Sequence, residues 1–139
     1  MKAKGIFYIS TFIMCGLLVL FSSLATAAEV YKVDPVHSAI TFRIKHLGIS
    51  YVRGRFNNAS GTITFDDKMS GKSSVEISVK VDDIDTFKAK RDKHLKSHEF
   101  CDAKKYPLIS FQSETFKKIG EGTYEVSGRL SFHGVTRPL

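Results

Sequence analysis

The sequence predicts a mostly β protein, an antiparallel sheet that coils on itself with one short helix added. Three observations carry that expectation. Apolar residues recur at every second position in several separate segments between Ile40 and Phe132, turn residues separate those segments at hairpin spacing, and a single stretch departs from the two-residue period. Because successive side chains on a strand point to opposite faces, Ile40, Phe42 and Ile44 share one side while Thr41, Arg43 and Lys45 share the other. Val75, Ile77, Val79 and Val81 repeat the pattern against Glu76, Ser78, Lys80 and Asp82.

The first segment carries Lys2 and Lys4, an apolar run from Ile6 to Phe21, and then Ala25-Thr26-Ala27. This is the layout of a secretory signal peptide, with cleavage expected after Ala27 and no membrane span left after processing. Met14 before Cys15 does not suit lipoprotein processing. The remaining 112 of 139 residues suffice for one small domain, 28–139, and are too few for two. With Lys2 and Lys4 gone, 19 basic residues face 14 acidic ones. That surplus favours anionic head groups or acidic partners, and its scatter over outward strand positions of an exported chain argues against nucleic acid. Only Cys101 survives processing, so no intrachain disulfide forms. A Lys-rich, Cys-poor exported chain suits a bacterial periplasm.

Along the mature chain, Val30 to Val33 begins a short strand that Asp34-Pro35 stops, since proline donates no ladder hydrogen bond. Further strands are expected at Ser38–His46, Tyr51–Asn57, Ser60–Phe65, Ser74–Asp82, Leu108–Thr115 and Thr123–His133, which makes seven in all. Gly48, Asn57-Asn58, Asp66-Asp67 with Gly71, and Gly120 with Gly122 supply the turns. Thr86 to Phe100 reads as the helix, with Thr86 as N-cap and Phe87 and Leu95 facing inward. Gly54, Gly61 and Gly128 inside strands indicate bends where the sheet coils toward a barrel. A flat two-layer sandwich satisfies the same periodicity.

Chemistry-bearing residues are present without a constellation. In a regular helix His94 and His98 would share one side, but the segment lacks the glutamate that zinc proteases place after the first histidine, and Lys96 opposes a cation. Cys101 with His94 or His98 as base is the nucleophile reading; a small buried apolar residue is the commoner role for such a cysteine. His37, His46, His94 and His133 are expected to hold strand ends and the helix through hydrogen bonds. Aspartates 34, 66, 67, 82, 83 and 85 do not match a calcium loop and read as turn formers.

Several runs together resemble the YceI-like, lipid- and polyisoprenoid-binding family. They are Tyr31-Lys32-Val33-Asp34-Pro35-Val36-His37-Ser38, Phe42, His46-Leu47-Gly48 and Gly54-Arg55-Phe56; then Arg91-Asp92-Lys93-His94-Leu95-Lys96-Ser97 with Phe100, Asp102 and Tyr106-Pro107-Leu108-Ile109-Ser110-Phe111; and finally Gly128 to Pro138. The resemblance implies an exported, periplasmic, lipocalin-like β-barrel whose apolar interior holds an isoprenoid or another long-chain amphiphile, with no established catalysis and no cofactor. Cys101 stands where the family commonly has a second aromatic. Family members continue with further strands beyond the position of Leu139, so the expectation is a barrel lacking its last strands. An open sheet edge invites self-association, and a dimer stays open.

The leading functional expectation is therefore a carrier of a long apolar lipid. Its contacts would come from the residues in the inward phase: Phe42, Ile44, Phe56, Ile63, Phe65, Ile77, Val79, Phe111, Val126, Leu130 and Phe132. The same residues also suit ordinary core packing. The rival is a metal- or thiol-dependent periplasmic enzyme built on the histidines and Cys101, and a third class is an interaction module that docks an acidic partner through its basic outer face.

Overall fold

The fold was analysed in a computed structural model that describes residues 28–139. The expected signal peptide, with its cleavage site, lies outside the described residues. Among the described residues, nine strands and one α-helix follow in order: β1 (Glu29–Lys32), β2 (Ile40–His46), β3 (Ser50–Phe56), β4 (Ser60–Phe65), β5 (Ser74–Lys80), β6 (Ile84–Asp85), α1 (Ala89–Leu95), β7 (Leu108–Gly120), β8 (Thr123–Phe132) and β9 (Val135–Pro138). They form two antiparallel sheets. Six strands run in the order β1-β4-β5-β7-β8-β9, and three in the order β2-β3-β6. The mostly β, antiparallel character with one short helix agrees with the sequence. No ladder joins the two sheets among the described residues.

Cross-strand register lays the apolar phase on one face of the large sheet. Ile77 faces Phe111, Phe111 faces Leu130, and Val79 faces Ile109. On the small sheet Ile40 faces Phe56, Phe42 faces Gly54 and Ile44 faces Val52. Gly54 matters for packing: a Cβ there would stand 2.4 Å from the Phe42 ring and 2.8 Å from the Thr86 methyl. The missing side chain lets the ring lie against the strand and meet Phe56 with centroids 5.4 Å apart. Phe56, Ala59, Val79 and Ile84 make the main core, with Phe42, Leu95 and Ile109 packed on it, and Val81, Cys101 and Ala103 make a second cluster that also touches Ile109.

Several expectations are corrected. The strand after Leu108 runs on to Gly120 because its phase is reset at Glu114, where the pairing shifts between Ser113 and Thr115. The bulge returns Phe116 to the inward face opposite Val126. Phe116, Phe65 and Tyr124 then form a ring cluster with centroids 5.2–6.3 Å apart. Strands β6 and β9 are additional, being too short for an alternation to register.

The helix is only seven residues, Ala89–Leu95, so His98 lies beyond it and the shared side expected for His94 and His98 does not form. Nor is Thr86 the N-cap. That position is Lys88, with no side-chain cap bond. Thr86 is instead 1% exposed and hydrogen-bonded on every side. Its backbone N–H and hydroxyl both donate to Asp92 Oδ1, at 2.9 and 2.5 Å, while Arg91 donates to its hydroxyl at 2.7 Å and to its carbonyl at 2.6 Å. This knot ties the helix to the end of β6. Asp92→Ala strips a buried N–H of its acceptor and is expected to lower stability by about 1–3 kcal/mol. A urea midpoint unchanged from the parent would refute that.

Phe87 does not face inward. It is exposed, with φ of 62°, its N–H bound to Asp85 Oδ1 at 2.8 Å and its ring 5.3 Å from the Arg55 guanidinium. The Phe87 N–H, then the Arg55 guanidinium beside it, hold the Asp85 carboxyl below the usual carboxylate range.

Candidate functional site

The inward faces of the two sheets and the end of the helix enclose a hollow of about 380 Å³. Strand β2 contributes Ile40, Phe42 and Ile44; β3 and β6 contribute Phe56 and Ile84; Leu95 and Cys101 close one side; Ile109, Leu130 and Phe132 form the opposite wall. Every one of these residues is apolar. The volume falls within the roughly 300–1,000 Å³ typical of small-molecule sites. The floor is buried at Phe56 and Ile84, whereas Ile44 and Phe132, from opposite walls, remain 59% and 40% exposed. The hollow thus opens to solvent between β2 and β8 with an apolar rim.

Of the eleven residues in the inward phase, Phe42, Ile44, Phe56, Leu130 and Phe132 meet in this hollow. Val79 lies beneath it in the core, 2% exposed. Ile77 and Phe111 occupy the same face of the large sheet further along, as do Ile63, Phe65 and Val126, with Phe65 in the ring cluster below the bulge. Ile40, Ile84, Leu95, Cys101 and Ile109 were not among the eleven. Ile40 keeps the same phase as Phe42, and Ile109 the same phase as Phe111, so both were legible on that ground, whereas the other three come from irregular or very short segments.

The histidines do not converge. A His37 ring nitrogen lies 2.7 Å from Asp34, the His94 imidazole lies 2.6 Å from Glu99 and edge-on to Phe100, and the His133 ring meets Tyr106 at a tilt of 51° with centroids 4.6 Å apart. The bond from His94 holds the Glu99 carboxyl below its ordinary value. Among the described residues, no three histidine, cysteine or carboxylate side chains cluster as a metal site. Burial pushes the Cys101 thiol up, away from thiolate formation. No described helix is long and apolar enough to cross a membrane.

These two facing antiparallel layers with an apolar space between them define a β-sheet domain built around a hollow. The chain belongs to the YceI-like domain family, whose profile matches residues 31–139. A UPF0312 protein of Yersinia enterocolitica is 44% identical over 126 residues, covering 89% of this chain and 65% of that protein. The chain therefore spans about 65% of the length of the curated relatives it matches. Among solved structures, the Campylobacter jejuni YceI protein is 34% identical with a TM-score of 0.60, over 78% of this chain and 64% of that one. Burkholderia cenocepacia BcnA shares the fold at 21% identity with a TM-score of 0.67, over 73% of this chain and 64% of that one.

Proposed function

We propose that this chain is the binding domain of an exported, periplasmic carrier for a polyisoprenoid or another long apolar lipid, held against the hollow between the two sheets. The observation that carries this reading is the uniformly apolar lining, to which both sheets contribute and which stays open to solvent at its rim. A long hydrocarbon laid along it removes apolar surface from water, at roughly 25 cal/mol per Å² before ordering costs. The leader-like segment at residues 1–27 supports export, and within the carrier a closed barrel would extend the same walls around the lipid. In this reading there is no turnover and no cofactor. The Cys101 thiol, pushed up by burial, and the dispersion of the histidines support that reading.

Cys101 provides the direct test because it lines the hollow and is the single cysteine beyond residue 27. Native mass spectrometry of the purified protein is expected to show a lipid adduct. Stripping that lipid should speed alkylation of Cys101 by a small apolar maleimide, and restoring a polyprenol should slow it again. Protein that carries no lipid and alkylates at one rate with or without polyprenol would sink the carrier reading.

A further inference from the structure

The hairpin of β2 and β3 carries an arrangement that lipid enclosure does not require. From Pro35 to Phe65 there is no aspartate or glutamate, yet this stretch holds Arg43, Lys45, Arg53 and Arg55. Register places Arg43 directly opposite Arg53 on the outer face and Lys45 opposite Tyr51. Like charges directly opposite one another destabilise a ladder. Arg55 is engaged by Asp85 at 3.0 Å, while among the described residues no carboxylate lies within 4.0 Å of Arg43, Lys45 or Arg53. The Arg43 guanidinium sits 4.7 Å over the Tyr51 ring, so one cation is already stacked beside an aromatic.

The tip adds an independent observation. Leu47 and Ile49 are 80% and 89% exposed, and Leu47 holds φ of 51°, a left-handed conformation uncommon for a bulky apolar residue. Moving from the tip toward the body of the hairpin, the order is apolar at 47 and 49, then Lys45 and Tyr51, then Arg43 and Arg53. At about 3.3 Å per residue, the paired arginines lie roughly 13 Å behind the tip. That sequence matches the depth profile of a bilayer surface, with apolar groups below, an aromatic at the interface and cations at the phosphates.

We infer that the β2–β3 hairpin docks, tip first, on an anionic phospholipid bilayer, with Leu47 and Ile49 entering the interface and Arg43 and Arg53 taking head-group phosphates. The unmatched positive charge selects an anionic surface, and guanidinium pairs suit phosphate oxygens. Because Phe42 and Ile44 on the inner face of the same β2 line the hollow, docking would set that wall beside the membrane. The inference goes beyond the carrier reading and stands or falls separately from it.

The test reads the tip itself. The chain has no tryptophan, so Ile49→Trp reports its own surroundings alone. The full chain with this change, purified as the cell leaves it, is mixed with phosphatidylglycerol vesicles and with phosphatidylcholine vesicles. Expected is a blue shift and quenching by brominated acyl chains on the first only, weakened by added salt. In the same background Arg43→Ser with Arg53→Ser should weaken vesicle binding on the order of tenfold or more, and Arg43→Lys with Arg53→Lys should retain most of it. Ile119→Trp, in the β7–β8 hairpin, should stay water-like throughout. An unshifted tip, an equal shift on both vesicle types, or an equal shift at Ile119→Trp overturns the docking. Protection of the arginines from a guanidine-selective reagent by inorganic phosphate but not by vesicles also overturns it, assigning the pair to a small anion.

Discussion

Ile44→Asp combined with Phe132→Asp is expected to abolish uptake of an apolar fluorescent probe, by a hundredfold or more, while the sheets stay folded. The two residues stand on opposite walls of the hollow, and both reach solvent, so the carboxylates remain hydrated in the empty protein. A lipid lying between them would strip that water. No described lining residue offers a hydrogen bond in return, and each desolvated carboxylate costs several kcal/mol unless it takes up a proton. Volume-preserving exchange of the same positions, Ile44→Val with Phe132→Leu, should weaken binding only slightly. Equal probe affinity in the aspartate pair and the parent, with matching circular dichroism, would show that the hollow is core packing and not a site.

A large loss of stability is expected from Gly128→Ala. A Cβ at Gly128 would stand 2.1 Å from the Gln112 carbonyl oxygen and 2.7 Å from the Ser113 Cα, all backbone. On its other side Gly128 exchanges two backbone hydrogen bonds with Leu139, both 2.9 Å. Held from both flanks, the strand has no room to yield, and about 3 kcal/mol or more should be lost. Gly122→Ala is the comparison. Its φ of 61° strains an alanine, but the space around it is open, so about 1 kcal/mol is expected. Denaturant midpoints of the two variants measure the difference; similar midpoints would mean that the β7–β8 crossing is looser than its geometry.

The strands were legible where a two-residue period persisted, and β2, β4 and β5 lie close to their sequence-derived limits. The period failed at Glu114, because one inserted residue inverts the alternation and hides Phe116 from any count of phase. Thr86 reads as a helix cap from its neighbours alone. Its actual partners, Arg91 and Asp92, are near in sequence, but the turn that bends back onto them carries no sequence signature. Phe87 reads as buried because it is aromatic, whereas Asp85 and Arg55 hold it outside. The hollow was half legible for the same reason. Phase identifies which side a strand residue takes, but not which loop residues, such as Cys101, come to meet it.

The bulge at Glu114 also bears on how the β7–β8 hairpin finds its partner during folding. A uniform two-stranded ribbon can slip by two residues and still match apolar to apolar, trapping a mispaired intermediate. Here Phe111 meets Leu130 on one side of the extra residue and Phe116 meets Val126 on the other. Sliding β8 by two residues sets Phe111 against Gly128 in one direction and Phe116 against Gly128 in the other, so either slip takes an apolar partner from one of the two rings. With the bulge placing the partners of the two rings on either side of Gly128, the pairing carries a checksum on the register of the longest hairpin of the domain.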